Sequence, residues 1–105
     1  MIFMKDIKKI VRIYKKKLQE SGIPVSDLYI FGSYAKGTAN KWSDIDVCVI
    51  SSRFGKNRHT ERIWLMNLRD SLTEDIEPHP YSAKDFKIPY DSLATEIKKT
   101  GVRIE

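Results

Sequence analysis

Two carboxylates at i and i+2, Asp44 and Asp46, stand at the head of the apolar run Val47-Cys48-Val49-Ile50, and no other feature constrains this chain as much. Successive side chains on a strand point to opposite faces, so Asp44 and Asp46 project from the same one. Ile45, Val47 and Val49 then share the other face, as a core requires. Carboxylates held side by side repel, and each resists ionisation, so the arrangement needs a compensating charge. A divalent cation with hard oxygen ligands supplies it. Mg2+ in particular is usually bound through one or two carboxylates plus substrate phosphates.

Upstream, the strand-like run Leu28-Tyr29-Ile30-Phe31 delivers the turn Gly32-Ser33-Tyr34-Ala35-Lys36-Gly37. Glycine lets backbone approach a phosphate closely, and Ser33, opening a short helix, would offer an N–H and a hydroxyl to an anion. Together the halves describe a site for a metal-chelated triphosphate. Each alone says little: a Gly-Ser turn is commonly just a turn, and an Asp-x-Asp at a strand end is commonly a solvated edge. Their order and close spacing make the combination specific.

Gly32-Ser33, Gly37 and Ser43-Asp44-Ile45-Asp46 resemble the signature of the polymerase-beta-like nucleotidyltransferase superfamily, and the short chain resembles its minimal branch. The resemblance is dense over residues 28 to 51 and looser elsewhere. It implies an α/β fold, with a small mixed β-sheet and helices packed mainly on one face. It also implies that Asp44 and Asp46 are catalytic metal ligands and that Gly32 and Ser33 hold the β and γ phosphates. In the family a third carboxylate on a neighbouring strand completes the metal site. Glu77 best matches that position, with Asp75 as the alternative. Glutamate where the family usually carries aspartate is a departure, and Pro78 restricts Glu77 to extended backbone.

The resemblance further implies Mg2+, two ions in the family-like mechanism, and ATP as substrate. Minimal nucleotidyltransferases of this kind resemble antitoxins paired with a HEPN ribonuclease, some of which AMPylate a tyrosine of that partner. Transfer of AMP from ATP to a hydroxyl of a HEPN-type toxin is therefore the expected activity. The competing expectation is an antitoxin that keeps the fold and neutralises its partner by contact alone. Transfer to a small molecule is weakened by the lack of an acceptor-binding domain.

At 105 residues the chain is expected to be one domain, residues 1 to 105, with its acceptor brought by another polypeptide or bound at a subunit interface. Composition is that of a globular protein, 41% hydrophobic and 31% charged, without a run long enough to span a bilayer or a signal-peptide h-region. Cys48 is the single cysteine and cannot form an internal disulfide, which makes the cytosol the simplest compartment. Nineteen basic against fourteen acidic residues give a net charge of +5. Seven of the cations, from Lys5 to Lys17, crowd the first segment and read as a solvated helix face. No aromatic residues interleave there, so nucleic acid is not expected as a direct ligand.

In chain order, Ile7, Ile10, Val11, Tyr14 and Leu18 predict an amphipathic helix from Met4 to Glu20, stopped by Gly22 and Pro24. Strands are expected at about Asp27 to Phe31 and Asp44 to Ser51, separated by a loop in which Trp42 either stacks on a nucleobase or pins the loop to the core. A second helix is expected from Arg58 to Leu72. The acidic segment Leu72 to Glu77 then reads as a strand stopped by Pro78 and Pro80, and His79 receives no role. A helical turn follows Ser82, a last helix spans Pro89 to Thr100, and Val102 to Glu105 is a short strand or a tail.

Overall fold

Apolar residues at i, i+4, i+7 and i+11 fold the first segment into α1 (Met4–Glu20), which buries Ile7, Val11, Tyr14 and Leu18. These elements come from a computed structural model, which describes residues 3–105. At the end of α1 the chain reverses through Gly22, whose φ of +87° is the left-handed cap conformation, and Ile23 N–H donates back to Leu18 O. There follow β1 (Asp27–Phe31), the single-turn α2 (Ser33–Lys36), β2 (Ile45–Ile50), α3 (Arg58–Asn67) and β3 (Ile76–Tyr81). The short α4 (Ala83–Phe86), α5 (Ser92–Thr100) and β4 (Val102–Arg103) complete the chain. Side-chain caps start three of the helices: Asn57, Ser82 and Asp91 accept from Thr60, Asp85 and Ala94 N–H respectively.

The strands form one mixed sheet in the order β3-β2-β1-β4. β1 runs antiparallel to β2 and β4, and β2 runs parallel to β3 after the α3 crossover. One face carries Leu28, Ile30, Ile45, Val47, Val49 and Ile76 against α1 and Leu65 of α3. The two longest helices thus share that face. The other face carries Phe31, Cys48, Ile50 and Tyr81 under Phe86 of α4 and Ala94 and Ile97 of α5. Among the described residues, no helix is long and apolar enough to cross a membrane.

Three elements differ most from the sequence reading. The acidic strand begins only at Ile76 and runs through both prolines to Tyr81. β3 is the sheet edge and pairs with β2 through its odd-numbered residues: Asp75 O accepts from Ile45 N–H and Tyr81 O from Ser51 N–H. Pro78 and Pro80 therefore turn their missing N–H toward the open edge, where no donor is needed. Helix α3 ends at Asn67, because Asp70 and Thr73 close a side-chain turn on each other and Arg69 takes carbonyls of Met66, Glu74 and Ile76. Helix α5 starts three residues late, at the Asp91 cap.

Candidate active site

The register of the sheet assembles the site. Phe31 pairs with Asp46, and Asp46 pairs with Glu77, so the end of β1 carrying the Gly32 turn meets the two acidic strands at one end of the sheet. Asp44 is exposed and immediately precedes β2, while Asp46 is half-buried within it. Ile45 and Val47 are buried on the opposite side, the alternation that places both carboxylates on one face.

Gly32 lies directly against Asp46. Its φ of +72° and ψ of −146° belong to backbone that side-chain-bearing residues avoid, and an added Cβ would overlap a carboxylate oxygen of Asp46 and come within 3.2 Å of its Cγ. The glycine therefore serves two ends: it turns the chain from β1 into α2, and it brings bare backbone up to the carboxylate. Behind it Ser33 opens α2, Lys36 N–H donates to Gly32 O, and the Lys36 ammonium pairs with Glu96 of α5, tying the turn to the last helix.

Glu77 shares the face of Asp46, yet its carboxylate is engaged by the Arg62 guanidinium of α3. Asp75, the alternative, lies exposed before β3 and contributes its carbonyl to the ladder. Among the described residues, no three His, Cys, Asp or Glu side chains are close enough to hold a metal ion. Asp46 is brought against Gly32, Asp44 follows it on the same face by strand alternation, and Glu77 is placed beside Asp46 but turned to Arg62.

His79 is the neighbour that the sequence reading left without a role. Since β3 persists through the prolines, His79 falls on the same face, opposite Cys48, with its ring edge-on to Phe31 at 5.1 Å. Its Nε2 is buried without a hydrogen-bond partner, 3.6 Å from Asp46 Oδ1. The two-residue spacing from Glu77 was the available signal, obscured by the expectation that Pro78 and Pro80 end the strand. Trp42 does not pin its loop: the indole is 81% exposed. Cys48 is buried, and burial pushes its thiol up to about 12, which leaves it an unreactive part of the core.

The donor set fits a hard divalent cation. Neither Asp44 nor Asp46 has a Lys or Arg within ion-pair distance among the described residues, so two carboxylates on one face stand unneutralised apart from the His79 contact. Two such ligands with phosphate oxygens completing the shell are what Mg2+ takes. The site lies at the open end of the strands. A cavity of about 340 Å3 lined by Arg53, Lys56, Glu61 and Trp64 lies past the other end of β2 and touches none of these residues.

Residues 7–104 match the model of the nucleotidyltransferase domain family, and the chain belongs to that family. Over 46 residues it is 46% identical to MJ1215 of Methanocaldococcus jannaschii, named as a candidate protein adenylyltransferase; the match takes in 44% of this chain and 52% of that one, about half its length. Among solved structures, a toxin-antitoxin crystallised with AMP-PNP superposes with a TM-score of 0.65 at 23% identity, over 93% of this chain and 72% of its own. The MntA-HpeT toxin-antitoxin, in a double aspartate-to-glutamate variant, gives 0.61 at 21% over 91% and 71%. A candidate nucleotidyltransferase of Sulfolobus solfataricus gives 0.58 at 19% over 97% and 87%. At these identities the structural likeness establishes the fold.

Proposed function

We propose that the chain is a nucleotidyltransferase antitoxin that transfers AMP from Mg2+-chelated ATP to a hydroxyl, a tyrosine foremost, of a HEPN-type ribonuclease partner. The observation that carries this reading is the close packing of Gly32 backbone on the Asp46 carboxylate, which puts an approach path for phosphate beside an unneutralised acidic pair. Family membership supports nucleotidyl transfer as the reaction class. The name of the Methanocaldococcus relative and the toxin-antitoxin neighbours, one crystallised with AMP-PNP, support the acceptor and partner classes.

In this reading Gly32 and Ser33 hold the β and γ phosphates, and Asp44 and Asp46 hold Mg2+. Glu77, on the paired position of the next strand, would complete a second ion's ligands when Arg62 releases it. Bound Mg2+ would supply charge neutralisation on the phosphates and a lower pKa for the attacking hydroxyl. The acceptor oxygen attacks the α-phosphorus, the bond to the β-phosphate oxygen breaks, and pyrophosphate leaves. The chain's part is positioning, with the rigid turn from β1 fixing the phosphates against the acidic strand. Work in the cytoplasm, where ATP is plentiful and a lone Cys48 stays reduced, belongs to the same reading.

The Arg62–Glu77 pair also favours a second reading, an antitoxin that binds without catalysis, since the third carboxylate is occupied. Intact-mass measurement of a co-expressed HEPN-type partner, after incubation with ATP and Mg2+, separates the two. A gain of one or more AMP units that disappears in the Asp44→Ala, Asp46→Ala double variant supports transfer. An unchanged mass with the partner still neutralised supports binding alone.

A further inference from the structure

We propose that Trp42 is the nucleobase platform of this site, an inference that rests on the triphosphate reading and extends it to the other end of the nucleotide. Tryptophan offers 150–250 Å2 of apolar surface for burial, yet the Trp42 indole is 81% exposed and contributes nothing to either core layer. Its loop is nonetheless fixed. Asn40 N–H donates to Ser43 Oγ at 3.0 Å, Trp42 N–H to Asn40 Oδ1 at 2.8 Å, and Ser43 N–H to Asn40 O at 3.0 Å. A hydrogen-bonded turn thus presents the ring to solvent.

Position gives the ring its use. Trp42 precedes Asp44 by two residues, a backbone span of at most about 7 Å, so a ligand whose phosphates meet the acidic pair carries its base within reach of the indole. Lys41 Nζ stands over the ring, 4.9 Å from its centroid, and the exposure leaves the opposite face open for a planar heterocycle. Base-on-aromatic stacking tolerates any base, because every base has a π-face. Affinity for the nucleoside end, with little choice among purines, is what such a platform supplies. Trp64, the other tryptophan, is 46% exposed and lines the cavity past the far end of β2.

Calorimetric titration with ATP and with inorganic tripolyphosphate, both with Mg2+, tests this in wild type, Trp42→Ala and Trp42→Phe. Expected is a loss of ATP affinity of roughly 5- to 150-fold in Trp42→Ala, most of it restored in Trp42→Phe, with tripolyphosphate affinity unchanged in all three. In a Trp64→Phe background the emission of Trp42 falls on adding ATP and stays constant with tripolyphosphate. ATP binding unaltered in Trp42→Ala would overturn the inference, as would a loss shared equally by tripolyphosphate. If wild type binds tripolyphosphate as tightly as ATP, the platform fails while the phosphate site stands. If it binds neither, the triphosphate reading fails and the platform with it.

Discussion

Gly32 concentrates two demands on one residue. Its backbone lies where a side chain is strained by about 1–3 kcal/mol, and the space for a Cβ is already filled by the Asp46 carboxylate. Gly32→Ala should therefore lower stability by about that amount and displace Asp46. Chemical denaturation reads the first effect and weakened Mg2+-ATP binding the second. By contrast, Tyr14→Phe touches only the fold. The buried Tyr14 hydroxyl donates to Leu65 O at 2.6 Å, joining α1 to the last turn of α3, and its loss should cost about 0.5–1.5 kcal/mol in a thermal melt with nucleotide binding intact.

At the level of elements, β3 and the β2–α3 loop carry what the sequence concealed. Glu77 and Arg62 form a partly exposed ion pair, which contributes under about 1 kcal/mol to stability, so Arg62→Ala should scarcely move the melting temperature. Freed of its cation, Glu77 becomes available beside Asp46, and Mg2+ or Mn2+ affinity measured by calorimetry should rise. In the loop, Glu61 is buried and accepts N–H groups of Gly55, Lys56 and Asn57 at 3.0, 3.1 and 3.3 Å. Burial alone would raise its pKa, but the three backbone donors and Arg58 outweigh that and hold the carboxyl below its usual value. A depressed carboxylate stabilises the fold above its unfolded pKa of about 4.3, and that stability is lost as pH falls through the lower folded value. Urea midpoints followed from pH 6 down to 3 should therefore fall in wild type, with a shallower fall in Glu61→Gln.

For the whole molecule, legibility followed the periodicity of the side chains. Helix α1 was readable to its ends because Ile7, Val11, Tyr14 and Leu18 repeat without interruption and Gly22 closes it. The turn, the Asp pair and the core face of β2 were readable because glycine and alternating residues have narrow conformational meaning. β3 was misread at the prolines, since Pro78 and Pro80 fit inside a strand only where their N–H side faces outward at an edge, and edge position is a property of the assembled sheet. His79 and the Arg62–Glu77 pair were hidden for the same reason: each depends on which strands neighbour one another. The exposure of Trp42 likewise appears only when the cores are closed without it.

The central claim is that the Gly32-Ser33 turn and the Asp44–Asp46 pair form one site for a Mg2+-chelated triphosphate. Calorimetric titration of ATP into wild type and the Asp44→Ala, Asp46→Ala double variant, each with Mg2+ and again with EDTA, tests it most directly. Binding that requires Mg2+ and is abolished in the double variant is the expected result. Equal ATP affinity in the variant, or in wild type without the metal, would contradict it.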